Sequence, residues 1–443
     1  MNKFQYFPHT DEDIQQMLHR IGVDSMNDLY NDVPADYLYQ GNYDLPSAMS
    51  EQEVRDYFDD LANQNTKLTC FVGAGAYDHY CPSVIPYITG RSEFMTAYTP
   101  YQCEISQGTL RYIFEYQSMI CNLTGLEISN ASMYDGATAA AEAMRMMVAS
   151  VKKSDTVLIS STLLPNVVDV IKTYAKFYGT KILVIEDKGG QTSIESLKQL
   201  LSTCNSIAGA IMPSINRYGI IEDLSSMSEA LHEKKMLLTI YCDPSTLGVL
   251  KTPAEWDADI AVGDGQSLGI PLCYGGPYVG FMACKKEHLR KLPGRIVGQT
   301  VDSEGRRAFV LTLQAREQHI RREKATSNIC SNESLMALWV TVYLSLMGPE
   351  GLRRVNELSY DGAHYLYDEL LKTGKFEKVY DAPFLKEFVL RPLVDVKKLQ
   401  QVLLDAGFFA ALETPEKYVS FCVTEKRTRK EIDLLVNTIN SNL

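Results

Sequence analysis

The sequence predicts an α/β fold in which a doubly wound, mostly parallel sheet is followed by a smaller C-terminal α+β domain. From Gly136 onward, helical and strand patterns alternate regularly, as a parallel sheet with crossover helices requires. The strands of this region are continuous apolar runs, such as TVLIS at 156–160 and KILVIE at 181–186. Strands that are buried on both faces need such runs. After residue 330 the order of elements changes, and this change predicts the smaller domain.

Hydrophobic periodicity and turn residues place the individual elements of both domains. In the large domain we expect helices at 136–150, 164–178, 193–203 and 223–234. The accompanying strands are expected at 155–160, 181–186, 207–212, 237–243, 258–262 and 278–284. In the small domain we expect helices at 332–347, 351–372, 395–406 and 428–441, with strands in KEFVLR and YVSFCV.

The chain before Gly136 divides into a helical segment and a loop-rich segment. In residues 1–67, Thr10 with Asp13 and Ser50 with Glu53 are typical of helix N-caps that precede an amphipathic pattern. Residues 68–135 are rich in glycine, proline and tyrosine, with helical periodicity only at 107–121. We assign this segment to a large domain at 68–330, with the small domain at 331–443.

Composition restricts the class of protein and its partners. The chain has 443 residues, of which 45% are hydrophobic, and a formal net charge of −12. An acidic surface repels phosphate backbones, so nucleic acid and anionic membranes are not expected as partners. The ten cysteines form no C-x-x-C pair and have no histidine at zinc-ligand spacing, so we expect reduced thiols and no metal site. The N-terminus has no signal-peptide pattern, and the protein is expected in the cytoplasm.

Two separated motifs indicate a pocket for a phosphorylated heterocycle. In YDGATAAAEAMRM (134–146), Gly136 and Thr138 open a helix whose free N–H groups suit a phosphate. Asp243, in TIYCDPSTLG, ends a buried strand, where a carboxylate can pair with a protonated ring nitrogen. The alternative interpretation of Asp243 is that it caps the turn that begins at Pro244.

These motifs resemble the large domain of the fold-type I pyridoxal-phosphate enzymes, with one difference. Catalysis by this cofactor needs a lysine amine for the imine that anchors it. Residues 252–284 contain no lysine, and Gln266 and Ser267 occupy the expected position. The sequence therefore predicts a vestigial pocket of Gly136, Thr138 and Asp243 without a Schiff-base lysine.

Longer motifs carry a more specific resemblance over essentially the whole chain. They are EFMTAYTPYQCEISQG (93–108), NASMYDGATAAAEAM (130–144) and IRREKATSNICSNESLMAL (320–338). In this order they resemble the first subunit of the glycine cleavage system P-protein family. The resemblance implies a heterotetramer of two first and two second subunits, with pyridoxal phosphate on the lysine-bearing second subunit. It further implies decarboxylation of glycine and transfer of the aminomethyl group to the lipoyl arm of the H protein.

In such a complex this chain would lend supporting groups to the active site of its partner. Tyrosine hydroxyls, amides and a wall against water are what a degenerate subunit can supply. The candidates are Tyr98, Thr99, Tyr101 and Gln102, with His79 as a proton-transfer group and Glu104 as an electrostatic partner. Alternatively, the tyrosines only pack at a subunit interface. Two other functions stay open: a purely structural or regulatory subunit, and a free-standing fold-type I lyase or aminotransferase with a displaced lysine.

Overall fold

The computed structural model describes residues 6–39, 41–325 and 327–443. The chain separates into two compact units, residues 1–66 and 67–443. Residues 1–5 of the predicted N-terminal segment, Gln40, and Thr326 of the motif at 320–338 lie outside the described residues.

The helices of the first unit begin at the predicted caps. They are α1 (Asp11–Ile21) and α2 (Glu51–Asn63). Thr10 Oγ1 accepts a hydrogen bond from the Asp13 backbone N–H at 3.1 Å, and Ser50 caps α2 in the same manner. Short 3₁₀ turns lie between the two helices, at Met26–Tyr30 and Ala35–Tyr37.

The second unit contains the predicted alternation and the C-terminal elements. Its helices are α3 (Val84–Thr89), α4 (Ser92–Met95), α5 (Gln107–Thr124), α6 (Gly136–Ser150), α7 (Pro165–Tyr178), α8 (Ile194–Thr203), α9 (Ser225–His232), α10 (Gln318–Arg321), α11 (Ser334–Lys372), α12 (Val396–Asp405) and α13 (Arg429–Asn442). Its strands are β1 (Thr69–Cys70), β2 (Ile128–Ser129), β3 (Thr156–Ser160), β4 (Lys181–Ile185), β5 (Asp187–Lys188), β6 (Gln191–Thr192), β7 (Ile207–Pro213), β8 (Leu237–Tyr241), β9 (Ile260–Asp264), β10 (Gly280–Cys284), β11 (Ile296–Val301), β12 (Arg307–Thr312), β13 (Phe376–Lys378), β14 (Glu387–Pro392), β15 (Phe408–Phe409), β16 (Leu412–Glu413) and β17 (Val419–Cys422).

The predicted mostly parallel sheet is confirmed. Within the described residues it has the strand order β2-β10-β9-β8-β7-β3-β4, in which β9, β8, β7, β3 and β4 pair in parallel. Only the pairings of β10, with β9 and with β2, are antiparallel in this sheet. Because the chain reverses at β10, its predicted apolar run at 278–284 forms an antiparallel strand near the edge of the sheet.

Both faces of the sheet are buried at β3, as its apolar run predicts, whereas the edge strand β4 is only partly buried, with Val184 38% exposed. In β3, Leu158 belongs to one hydrophobic cluster, whereas Val157 and Ile159 belong to the cluster on the opposite face. Successive side chains of a strand point to opposite faces, so a strand covered on both sides needs apolar residues at consecutive positions.

The C-terminal part of the chain forms a separate antiparallel sheet with the order β13-β14-β17-β16. Helices α11, α12 and α13 supply apolar side chains to its core, including Leu366, Leu399 and Leu435. The loop-rich segment also reaches this region, because β1 pairs in parallel with β15 and Phe71 is buried in the same core. Residues 69–71 thus pack with the C-terminal elements rather than with the central sheet.

Helix α11 corresponds to the two helices predicted at 332–347 and 351–372. The backbone leaves the helical conformation at Gly348 (φ 57°, ψ −175°), and Pro349 follows. By length and composition alone this helix is apolar enough to cross a membrane, with a mean hydropathy of 1.3 over its best window. Its side chains at Ala337, Val340 and Leu366 are fully buried in the two parts of the core, which is typical of a core helix.

Candidate functional site

A buried lysine lies at the carboxyl end of the central sheet. Lys386 precedes β14 and is only 2% exposed. Its Nζ donates hydrogen bonds to Asp243 Oδ2 at 2.7 Å, His79 Nε2 at 2.9 Å and Ser245 Oγ at 3.2 Å. An ammonium group has three N–H donors and no acceptor. These three acceptors therefore form a complete binding site for one ammonium group.

Asp243 divides its two carboxylate oxygens between Lys386 and neighbouring hydroxyl groups. Its Oδ1 accepts hydrogen bonds from the Ser245 backbone N–H at 2.9 Å, from Ser245 Oγ at 2.8 Å and from Ser267 Oγ. Burial by itself raises the pKa of a carboxyl, but the Lys386 ammonium and the hydrogen bonds hold the pKa of Asp243 below its usual range. Asp243 is also the N-cap of the turn that begins at Pro244. Asp243 therefore caps the turn, as one interpretation of the sequence predicts, and its carboxylate also pairs with a cation. That cation is Lys386 and not a ring nitrogen.

His79 is enclosed in the same network. Its Nδ1 lies 2.6 Å from Glu425 Oε2. Burial and the nearby Lys386 ammonium lower the pKa of His79, although Glu425 acts in the opposite direction. The neutral imidazole then donates through Nδ1–H to Glu425 and accepts from Lys386 at Nε2. The ring centroid of Tyr77 lies 3.9 Å from the Lys386 Nζ, within cation–π range. Both nitrogens of the predicted proton-transfer group are therefore engaged inside the chain.

The N-terminus of α6, predicted as a phosphate site, is covered by two carboxylates. Asp135 caps the helix, and its Oδ1 accepts a hydrogen bond from the Thr138 backbone N–H at 2.8 Å. The Gly136 N–H donates to Asp264 Oδ2 at 3.0 Å. Burial raises the pKa of Asp264 to about 7, although hydrogen bonds from the backbone oppose this shift. A phosphate at this position would have to replace the Asp264 carboxylate.

Gln266 stands where a lysine was expected, and its side chain is fully engaged. It is 1% exposed. Its Nε2 donates to the carbonyl oxygens of Tyr77 at 2.8 Å and Ile270 at 2.7 Å, and its Oε1 accepts from the Tyr77 N–H at 2.7 Å. Gln266 thus holds the segment around Tyr77 against the central sheet.

The cavity that remains beside Asp243 is small. We call it the Asp243 pocket, and its volume is about 30 Å³. Pockets for small molecules are typically about 300–1,000 Å³. The space left in the Asp243 pocket suits an ordered water molecule. Its lining residues are Gly75, Tyr77, Leu164, Ile215, Asn216, Tyr241, Cys242, Asp243, Asp264 and Ser267.

The candidate residues at 98–104 lie elsewhere, around a buried arginine. Arg295 is 2% exposed. Its guanidinium donates to Thr99 Oγ1 at 3.2 Å and to the Tyr101 hydroxyl at 2.9 Å, and its Nε lies 3.5 Å from Glu317 Oε2. Tyr98, in the same segment, is 77% exposed. We call residues 98–104 the tyrosine segment.

The other predicted members of the tyrosine segment face outward. Gln102 and Glu104 are both exposed. The Gln102 carbonyl accepts hydrogen bonds from the Ile105 and Ser106 N–H groups and so leads into α5. No residue of the tyrosine segment lines the Asp243 pocket. The structure therefore groups His79 with Asp243 and separates both from the tyrosine segment.

Comparison with known proteins identifies the family. The family model for the glycine cleavage system P-protein matches residues 4–439. The chain belongs to the glycine cleavage system P-protein family. A probable glycine dehydrogenase (decarboxylating) subunit 1 from Desulforamulus reducens is 48% identical over 440 residues, which cover 97% of this chain and 98% of the relative.

Solved structures agree with this assignment. A crystal structure of glycine decarboxylase (P-protein) of the glycine cleavage system, in inhibitor-bound form, superposes with a TM-score of 0.93 and 41% identity, covering 99% of this chain and 100% of that one. A sphingosine-1-phosphate lyase from Burkholderia pseudomallei has a TM-score of 0.67 at 13% identity over 91% of this chain and 92% of its own. This second likeness shows the fold alone. The predicted fold, that of the fold-type I pyridoxal-phosphate enzymes, is confirmed.

Pyridoxal phosphate, which this fold typically holds, does not fit the Asp243 pocket of this family member. The carboxylate expected to meet its ring nitrogen is paired with Lys386, and the helix terminus expected to meet its phosphate is paired with Asp264. Gln266 cannot form an imine. Residues 252–284 contain no lysine that could form the imine. Lys386 does not take over this role, because its Nζ is paired with the carboxylate of Asp243.

Sequence reasoning missed Lys386 because it searched for a lysine only between the sheet strands. A signal was present in KEFVLR, where Lys386 stands directly before a buried apolar strand and Glu387 is its first residue. Charged residues are almost never fully buried unless they are paired. Two adjacent charges at the start of a buried strand therefore predict buried partners, although not which ones.

Proposed function

We propose that this chain acts as subunit 1 of a glycine dehydrogenase (decarboxylating) and forms the enzyme only together with a lysine-bearing second subunit. In this proposal the second subunit holds pyridoxal phosphate, and the assembly is a heterotetramer of two first and two second subunits. It decarboxylates glycine and passes the aminomethyl group to the lipoyl arm of the H protein. The observation that carries the proposal is the family match over residues 4–439 in a chain whose own Asp243 pocket is filled.

The tyrosine segment is the surface we propose to face the site of the second subunit. Arg295 fixes Tyr101 and Thr99 from below through two hydrogen bonds, so the rings and hydroxyls need little further ordering when a partner binds. Tyr98 and Tyr101 remain 77% and 50% exposed. Aromatic side chains are enriched at protein interfaces. In this position, the hydroxyl and amide groups of the segment hydrogen-bond to substrate and exclude water.

Reconstitution tests the assembly. The chain is mixed with the purified second subunit, and glycine-dependent release of CO₂ is measured with lipoylated H protein. We expect no turnover from this chain alone, turnover from the mixture, and pyridoxal phosphate in one equivalent per second subunit. The mass of the complex, from light scattering, should correspond to two copies of each chain. Turnover by this chain alone would contradict the proposal and favour a free-standing enzyme.

Substitutions in the tyrosine segment test its role. We expect Tyr101→Phe, Tyr98→Phe and Gln102→Ala each to lower kcat, because a hydrogen bond with a net value of about 1 kcal/mol corresponds to about fivefold in rate. Tyr360→Phe is the matched control, since Tyr360 is 45% exposed on α11. Complex formation should be intact in all four variants. Unchanged turnover in the three segment variants would instead favour a purely structural subunit.

The cellular location is also a proposal. All ten cysteines are free thiols, and reduced thiols without disulfides are typical of the cytoplasm. We propose a cytoplasmic protein. Fractionation of the source cells, followed by immunodetection, tests this, and recovery in an extracellular fraction would contradict it.

A further inference from the structure

We propose that two side chains of this protein have taken the places of the charged ends of pyridoxal phosphate, so that the Asp243 pocket is closed to that cofactor. Lys386 replaces the protonated ring nitrogen, and Asp264 replaces the phosphate. In place of a bound ligand, the ion pair of Lys386 and Asp243 joins the C-terminal sheet to the central sheet. The closure of the pocket concerns this chain alone and does not depend on glycine or on a partner.

The cation end of the replacement is complete. The Lys386 Nζ lies 2.7 Å from Asp243 Oδ2, and the side chains are 2% and 12% exposed. A protonated ring nitrogen has one N–H donor for this carboxylate, whereas the ammonium has three. The structure supplies acceptors for the additional two donors, His79 Nε2 and Ser245 Oγ. His79 accepts there because Glu425 fixes its other nitrogen as the donor.

The anion end is equally self-contained. The positive end of α6 attracts an anion or an acceptor oxygen, and its free N–H groups are the usual donors to a phosphate. In this chain the Gly136 N–H donates to Asp264, and the Thr138 N–H donates to Asp135. Asp264 is the last residue of β9, so the central sheet itself places this side chain at the N-terminus of α6.

The tie joins elements that are distant in sequence. Lys386 and Asp243 are separated by 143 residues, and the adjacent Glu387 accepts hydrogen bonds from the Ala74 N–H at 2.8 Å and the Tyr77 hydroxyl at 3.2 Å. The C-terminal sheet is thus fixed to both β8 and the loop-rich segment. A ligand-binding pocket at this position would have to open between the C-terminal sheet and β8. The contacts of Lys386 and Glu387 hold these elements together.

Ligand binding by the unaltered chain gives the first test. The probe is pyridoxine 5′-phosphate, which has no aldehyde and forms no imine with lysine, measured by isothermal titration calorimetry. We expect no saturable binding. A site with one-to-one stoichiometry whose binding is lost in Asp243→Asn would overturn the proposal. This test needs no folded Lys386 variant.

Chemical rescue tests the cation end. In Lys386→Ala we expect a lower melting temperature, which n-propylammonium chloride partly restores by entering the vacated ammonium site. Tetramethylammonium chloride at the same concentration has the same charge but no N–H donor, and should restore nothing. Lys398→Ala, an exposed lysine on α12, is the control and should respond equally to both salts. Equal responses of Lys386→Ala to both salts, or an unchanged melting temperature, would overturn the cation assignment.

Restored ligand binding tests both ends together. In Lys386→Ala/Asp264→Ala the two replacing side-chain groups are absent, while Asp243 and the N-terminus of α6 remain. We expect pyridoxine 5′-phosphate to bind at least about tenfold more tightly than to Lys398→Ala, and to protect β14 from hydrogen exchange. Binding no tighter than in the control would overturn the replacement, since the vacated groups would then not form a cofactor site.

Discussion

Removing the Lys386 ammonium while keeping the length of the side chain should destabilise the protein strongly. In Lys386→Met, the Asp243 carboxylate stays buried without its counter-ion, and His79 loses a donor. Breaking a buried ion pair from one side costs about 3–5 kcal/mol. An acceptor left without its partner costs about 1–3 kcal/mol more. We therefore expect the free energy of unfolding of the second unit to fall by about 4–8 kcal/mol.

The double-mutant cycle with Asp243→Asn separates the ion pair from general packing. Asp243→Asn alone leaves the ammonium buried and should cost about 3–5 kcal/mol for the same reason. Lys386→Met/Asp243→Asn has neither charge. We therefore expect it to be at least as stable as the less stable of the two single variants. The coupling energy between the two sites should then be about 3 kcal/mol or more.

Denaturant unfolding provides the measurement. Trp256 lies in a turn beside β9 and Trp339 lies in α11, so tryptophan fluorescence reports on the second unit, whereas far-UV circular dichroism reports on the helices and strands of both units. Coincidence of the two signals checks that one transition is observed. Lys398→Met is the matched control and should change stability by about 0.5 kcal/mol or less. Additive effects of Lys386→Met and Asp243→Asn would refute the reasoning, because independent sites have no coupling energy.

Three further predictions concern the surroundings of the ion pair. Burial raises the pKa of Glu387 from 4.5 to about 7, so the folded protein should lose about 3 kcal/mol as the pH rises through this window. Glu387→Gln should flatten that loss when melting is compared at about pH 5 and about pH 8, and an unchanged pH dependence would contradict this. An added Cβ at Gly136 would lie 2.7 Å from the Tyr241 hydroxyl oxygen and 2.8 Å from the Asp264 backbone nitrogen, but at Gly108 it meets nothing within 4 Å. Gly136→Ala should therefore lower stability by about 1–3 kcal/mol and Gly108→Ala should raise it by about 0.5–1 kcal/mol, so similar denaturation midpoints would argue against close packing at Gly136. Gln266→Lys should lose about 1–3 kcal/mol and give no specific adduct with pyridoxal phosphate after borohydride reduction, as mapped by mass spectrometry, because the pocket stays filled; a stoichiometric adduct at position 266 would contradict it.

The sequence was sufficient for those features that arise from neighbours along the chain. Thr10 and Ser50 cap their helices because each side chain reaches a backbone N–H three residues away. The run TVLIS forms a strand buried on both faces because its consecutive residues Val157, Leu158 and Ile159 are all apolar. Periodicity and capping involve a few consecutive residues, so the pattern itself contains the physical cause.

The charge pairs of the candidate site depended on the tertiary structure. The sequence indicated that Asp243 either pairs with a protonated ring nitrogen or caps a turn, and that the helix at Gly136 suits an anion. It could not show that Lys386 and Asp264 satisfy them, since neither partner lies within a helical turn or a strand repeat of its target. Only the fold brings β14 against the end of β8.

The difference between the two kinds of information has one physical origin. Backbone sterics and hydrophobic alternation act over a few residues, and they determined the helices, the strands and the parallel sheet of this protein. Electrostatic pairing acts across space, and its energy depends on burial that the chain acquires only on folding. The sequence by itself therefore determined the fold and the absence of a lysine between 252 and 284, whereas only the tertiary structure decided what fills the Asp243 pocket.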